Sequence, residues 1–346
     1  MKTCPSRAVL GLAVSAVVLA SGPPAQAGGS AYVALGDSYS SGAGTRSYLA
    51  DGTSCQRSVY SYPSLIASSK GYTLNLRACS GATTRDVTTL QLSALGAGTA
   101  YVSLTVGGND AGFADVLTEC ALPAWASSCN AAIDRAQRII ETELPSRLRT
   151  LYSSIRGRAP RARVVVAGYP RLFNGQDCDL LTWFSPAEEA RLNATADLLN
   201  SRIAGAASAA GFRFSNPTAA YVGHAVCSRP AWINGLSKPI ANSYHPNRLG
   251  HSSGYAPLVG AQLTGATVTV GTRVARQARA SAGRLAAQQG RYAARDRTIR
   301  PERFVLPDLS SARTRAAAAR AGVDLGSRKS IDAADRRFAA AQSRTR

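Results

Sequence analysis

Histidine is scarce in this chain: His224, His245 and His251 are the only three in 346 residues. A reaction that needs an imidazole base must therefore draw on one of these. Lysine is scarce too. Four lysines stand against 36 arginines, so the positive charge is almost wholly guanidinium. C-x-x-C spacing is absent, which argues against a zinc site, and no metal is expected. After residue 20 no apolar run approaches the roughly 20 residues that a membrane-spanning helix requires.

What is present begins with a leader. Lys2 and Arg7 give a positive start, Ala8 to Ala20 is apolar but too short to span a bilayer, and Ala25-Gln26-Ala27 is a small-x-small cleavage site. Residues 1–27 are expected to be a secretory signal, leaving a soluble, exported, extracellular chain. Removal of Cys4 with the leader leaves six cysteines: Cys55, Cys79, Cys120, Cys129, Cys178 and Cys227. An even number in an exported chain argues for disulfides. Fifteen connectivities are open. The sequential pairing, 55 with 79, 120 with 129 and 178 with 227, is the simplest, because each pair closes one loop.

Residues 28–270 have the length of one α/β domain. Strand-like runs recur at Tyr32–Leu35, Thr73–Leu76, Tyr101–Val106, Arg163–Ala167 and Phe212–Phe214, with helical patterns between them. Across 130–156 apolar residues fall three and four apart, interrupted by Pro145, where a split or kink is expected. Ser185-Pro186-Ala187-Glu188 reads as a helix cap followed by a helix to about Ala210. Asn247–Leu263 reads as the closing helix. Alternation of this kind predicts a parallel, doubly wound sheet. Asn174–Trp183 and Val222–Asn242 read as surface loops near a site. From Gly271 the composition changes to Ala and Arg. Residues 271–346 hold 18 basic and 6 acidic residues, a net +12, and few large apolar ones. A loosely attached, disordered or partly helical tail is expected there.

The chemistry-bearing residues sit where strands end. Val33-Ala34-Leu35-Gly36-Asp37-Ser38 writes a buried strand, a tight turn and a presented hydroxyl. Open α/β sheets place their chemistry at that edge. Ser38 becomes a nucleophile if an imidazole takes its proton, and His245, after the last strand, is the candidate base. Backbone amides and Asn side chains serve as oxyanion donors. Gly81, in Ala-Cys-Ser-Gly-Ala-Thr-Thr, and Asn109, after Gly107-Gly108, follow two other strands.

These blocks in order resemble the SGNH, or GDSL, hydrolase family, specifically its secreted actinobacterial lipase and esterase branch. Gly36-Asp37-Ser38-Tyr39 resembles the nucleophile block, Ser80-Gly81-Ala82-Thr83-Thr84 the second, Gly108-Asn109-Asp110 the third, and His245-Pro246-Asn247 with Gly250-His251 the last. The likeness covers about residues 30–265. It implies a flavodoxin-like three-layer α/β/α sandwich, with the basic tail as an addition. It also implies a Ser38 nucleophile, a His245 base, and an oxyanion hole of the Ser38 amide, the Gly81 amide and the Asn109 side chain. The six cysteines resemble the three-disulfide pattern of the same branch. Many relatives carry Asp three residues before the histidine, where this chain has Asn242. A Ser–His dyad is therefore expected, with Asn242 or Ser243 orienting the ring, either through a backbone carbonyl or through the Asn242 side chain.

The expected activity is that of a serine lipase or esterase, phospholipids included, acting through an acyl-enzyme without any cofactor. A carbohydrate or polymer deacetylase, and a non-catalytic cell-surface binding protein, are the alternatives. The expected partner is an acyl ester or lipid, met by a monomer without specific nucleic-acid binding. Attraction of the basic tail to anionic surfaces is weighed against a solvated tail with no partner.

Overall fold

The computed structural model describes Met1 and residues 29–301 and 303–344; the expected signal segment otherwise lies outside the described residues. Five strands form one parallel sheet: β1 (Ala31–Gly36), β2 (Thr73–Leu76), β3 (Tyr101–Thr105), β4 (Arg163–Ala167) and β5 (Arg213–Ser215). Their order is β2-β1-β3-β4-β5. This is the flavodoxin-like order, in which the crossover reverses between β1 and β3 and opens a crevice at their carboxyl ends. Strands covered on both faces carry near-continuous apolar runs. Accordingly Val33, Ala34 and Leu35 of β1 and Val164, Val165 and Val166 of β4 are all buried.

Helices cover both faces. Tyr62–Lys70 packs on β2, and Ala256–Thr264 lies across β3, β4 and β5. Pro186–Ala209 lies against β4 and β5 and packs on the helices Cys129–Thr142 and Leu144–Arg158. Those last two are the split helix that Pro145 foretells, with the proline in the first turn of the second, where its missing N–H is harmless. The Ser185 hydroxyl accepts from the Glu188 amide while the Glu188 carboxylate accepts from the Ser185 amide, a reciprocal cap. The closing helix runs where the sequence places it, helical from Arg248 to Thr264 with a π-helical turn at Gly250–Tyr255. Asn247 stands at its start, its side-chain oxygen accepting from the Gly250 amide at 3.1 Å and its side-chain amide donating to the Ala231 carbonyl. Disulfides join Cys55 to Cys79, Cys120 to Cys129 and Cys178 to Cys227.

The tail folds back onto the domain. Helix Thr272–Ala280 packs on Tyr62–Lys70 and helix Ala282–Gly290 on β2, and the short helix Ala293–Asp296 follows them. Helices Ala312–Ala321 and Arg328–Arg344 bury Ala317, Ala318, Ile331 and Ala334 around Trp125 and Trp183. Composition hides this attachment, because much of it is ionic. Asp296 receives Arg57 at 2.6 Å and Arg77 through both oxygens at 2.8 Å, and all three side chains are fully buried. Arg57 also meets Asp51 at 2.8 Å, and the Arg77 guanidinium lies 3.9 Å over the Tyr292 ring. Burial works to raise the Asp296 pKa, but Arg77 and Arg57 hold it below the usual carboxylate range. Removing one member of such a cluster leaves buried charge uncompensated. Asp296→Asn is expected to lower unfolding free energy by about 3–5 kcal/mol. A urea melt with an unchanged midpoint would count against this.

Candidate active site

The turn after β1 is shaped by how close β1 and β3 approach. Gly36 pairs with Thr105 in register and has φ of +111°. A Cβ at Gly36 would stand 2.1 Å from the Thr105 carbonyl oxygen, so only glycine fits. Gln91 clasps the same residue, accepting from the Gly36 amide at 2.7 Å and donating to its carbonyl at 2.9 Å. Asp37 then caps a single helical turn, Ser38–Ser41, accepting from the Tyr39 amide at 3.0 Å. Its carboxylate also accepts from the Thr105 hydroxyl and the Tyr169 hydroxyl, each at 2.5 Å. Burial pushes the Asp37 pKa up to about 6, against those hydrogen bonds. Asp37 thus fastens the start of the Ser38 turn to β3 and to the loop after β4.

The second and third blocks are laced to each other. The Asn109 side-chain amide donates to the Ala82 carbonyl at 2.9 Å. Asp110 accepts from the Thr84 amide at 2.9 Å and from the Thr84 hydroxyl at 2.6 Å. Gly81 has φ of +85° and is overlain by the tail: a Cβ there would meet the Arg300 carbonyl oxygen at 2.4 Å and Pro301 Cα at 2.5 Å.

His245 is held by a loop stitched to the nucleophile side. Asn234 donates from its side chain to the carbonyls of Gly44 at 2.9 Å, His245 at 3.1 Å and Asn242 at 3.2 Å. The Tyr39 hydroxyl donates to the Tyr244 carbonyl at 3.0 Å, and Tyr244 has φ of +58°. His245 Nδ1 lies 2.9 Å from the Ser243 carbonyl. With the proton on Nδ1, Nε2 is left as a lone-pair acceptor. Burial lowers the His245 pKa to about 4, with the Ser243 carbonyl pulling the other way, so the ring is neutral at pH 7. Asn242 is buried with its side-chain oxygen accepting from the Tyr48 hydroxyl.

Ser38, Asn109 and His245 line one cavity, together with Asp37, Tyr39 and Tyr169. Gly81 lies beside it through the Ala82–Asn109 link rather than on its wall. The other two histidines are held elsewhere. His251 is fully buried, accepts from the Tyr62 amide at 3.3 Å, and packs near the Tyr62 and Tyr255 rings. His224 stacks on Trp232 at 3.8 Å. Gln91, Thr105, Tyr169 and Asn234 escape a reading of the sequence. Each acts on a partner more than fifty residues away or through its backbone, and only Thr105, at the end of an apolar run, carries any local signal. Among the described residues no group of three or more His, Cys, Asp or Glu could hold a metal ion, and no helix is long and apolar enough to cross a membrane.

A doubly wound parallel sheet with a serine, a neutral imidazole and an asparagine amide around one cavity fits an ester hydrolase of flavodoxin-like fold. The chain belongs to the GDSL-like lipase/acylhydrolase family, which matches residues 34–252. It is similar to a lipase of Streptomyces rimosus, with 46% identity over 230 residues, 66% of this chain and 85% of that one. Lipase 1 of Streptomyces coelicolor is 43% identical over 239 residues, covering 68% and 87%. Among solved structures, the extracellular lipase of Streptomyces rimosus superposes with a TM-score of 0.64 at 44% identity, over 67% of this chain and 99% of that one. The phospholipase A1 of Streptomyces albidoflavus NA297 gives 0.64 at 42%, over 68% and 99%. The chain is a carboxylic ester hydrolase of this family.

Because Gly36 permits the strand contact that sets the turn, Gly36→Ala is expected to be strained by more than about 1–3 kcal/mol. Thermal unfolding should show a clearly lowered midpoint. A wild-type midpoint would mean that β1 and β3 separate at no cost.

Proposed function

We propose that the protein is a secreted, monomeric serine lipase or esterase that cleaves acyl esters, phospholipids among them, through an acyl-enzyme on Ser38. The observation that carries this reading is a serine sharing one cavity with a neutral histidine whose Nδ1 is fixed by the Ser243 carbonyl. His245 Nε2 takes the Ser38 proton as Oγ attacks the ester carbonyl. The resulting oxyanion is met by the Ser38 amide and by Asn109, which line the cavity, and the Gly81 amide, which the family resemblance implies as a third donor, lies just beside it. Asn109 uses one N–H on Ala82 and has a second to give. Collapse of the tetrahedral intermediate expels the alcohol, which takes its proton from His245. Water then enters by the same route and releases the acid.

The ring is oriented by a neutral carbonyl rather than a carboxylate, so the imidazolium gains less stabilisation than in a triad. Relatives at 42–46% identity are named lipase and phospholipase A1, which favours this reading over a polymer deacetylase or a non-catalytic surface protein. The net +12 of residues 271–346 supports a further draw toward anionic lipid surfaces.

Ser38→Ala is expected to abolish hydrolysis of p-nitrophenyl butyrate and labelling by a fluorophosphonate. His245→Ala should lose a comparable amount, since the pair acts as a unit. Asn109→Ala should lower kcat by roughly 10²–10³. Asn242→Ala should change it little, and a collapse there would make the Asn242 side chain the real partner of His245.

The pH profile gives a separate check. A base whose pKa is depressed stays unprotonated through the neutral range. kcat/KM should therefore hold down to about pH 5 and fall as pH passes through about 4. An acid limb near 6 would point instead to protonation of Asp37.

A further inference from the structure

The tail enters the active-site cavity. Arg303 and Phe304 line it alongside Ser38, Asn109 and His245. Phe304 is 96% withdrawn from solvent, and its ring meets Tyr244, the residue before His245, edge-on at 4.9 Å. Beyond the polar groups the cavity is walled by Phe113, Leu117, Leu172 and Leu199. An apolar wall next to a serine and an oxyanion site is where an acyl chain would lie, and here an aromatic side chain of the chain itself occupies part of it. The free space left is about 70 Å³. At liquid water's share of roughly 30 Å³ each, that is room for about two waters.

The segment is fastened on both sides. Upstream, Asp296 is locked to Arg57 and Arg77. Over the site, Arg300 and Pro301 rest on Gly81, where no side chain intervenes. Downstream, the Val305 amide donates to the Thr118 hydroxyl at 2.9 Å and Arg313 pairs with Glu119 at 2.5 Å. Further on, Trp183 donates to Asp332 at 3.0 Å and the Ala124 amide to Asp335 at 2.8 Å. A side chain fixed this firmly is a wall of the site. The family match ends at residue 252, so this wall is supplied from outside the matched region.

We propose that Phe304, carried in by the C-terminal segment, sets the acyl-chain preference of the enzyme, favouring short acyl groups over long ones by narrowing the acyl site beside Tyr244, whatever head group the ester carries. The proposal rests on the esterase reading above. It makes Phe304 a specificity residue with no part in bond making.

The test is a size series at this position in the full chain, Phe304→Ala, Phe304→Leu and Phe304→Trp, assayed on p-nitrophenyl butyrate and p-nitrophenyl octanoate. Fluorophosphonate labelling counts the competent sites. A methylene accepted or refused by an apolar pocket changes kcat/KM by about tenfold or more. The octanoate-to-butyrate ratio should therefore rise by about tenfold or more in Phe304→Ala. It should rise less in Phe304→Leu and fall in Phe304→Trp, each rate being taken per labelled site so that a general loss of activity cancels from the ratio. The Leu and Trp variants keep the site filled, so the ordering stands even if the Ala variant folds poorly. An unchanged ratio across labelled variants would overturn the proposal and leave the esterase reading in place. Absence of labelling and of hydrolysis in every form, the wild type included, would overturn both.

Discussion

The contact between Gly36 and Thr105 governs the edge of the sheet where the chemistry is read. Two neighbouring strands come so close there that no Cβ fits. The turn that follows has to leave β1 at once, and Asp37 is pulled back onto Thr105 and Tyr169. That places Ser38 over the reversal point of the strand order, beside the loop that carries Asn109. Gln91 accepts from the Gly36 amide and shares the Gly36 carbonyl with the Cys79 amide, so both polar groups at the strand end are satisfied.

The histidine reaches this edge by a different device. Its loop has little regular structure, and its position comes from carbonyls collected by one half-buried side-chain amide. Asn234 binds carbonyls on both the nucleophile side, at Gly44, and the histidine side, at Asn242 and His245. Tyr39 adds a tether from the residue after Ser38 to the residue before His245. The two halves of the site therefore share a hydrogen-bond network instead of relying on a common secondary element. Such networks hold geometry well when fully satisfied.

The tail changes what this site presents to solvent. A segment poor in large apolar residues is anchored by a buried carboxylate between two buried arginines, an arrangement strong only when every charge is partnered. Its few large residues are placed where they count: Ile331 beneath a helix, Phe304 in the active-site cavity. Some of the tail's arginines are paired at the surface, Arg313 with Glu119 and Arg328 with Asp332, both half-exposed pairs that contribute little to stability.

The sequence by itself determined the parts that are local. Short runs of three to six residues marked all five strands, three of them closed by a glycine at Gly36, Gly107 and Gly168; Pro145 marked the break between two helices, and Ser185 with Glu188 marked a cap. The ordered blocks carrying Ser38, Gly81, Asn109 and His245 were legible because each is a strand end or loop with its own turn chemistry. What only the tertiary structure decided is whatever depends on chain segments far apart. Ser243, and not the Asn242 side chain, faces His245, because Tyr48, nearly two hundred residues away, takes the Asn242 oxygen. Gly81 needed its bare Cα for a neighbour 219 residues on, at Arg300. The tail binds because Asp296 meets two arginines from the far side of the sequence. Composition counts charges but carries no record of which of them meet, and burial turns the same arginine from a solvated group into an anchor.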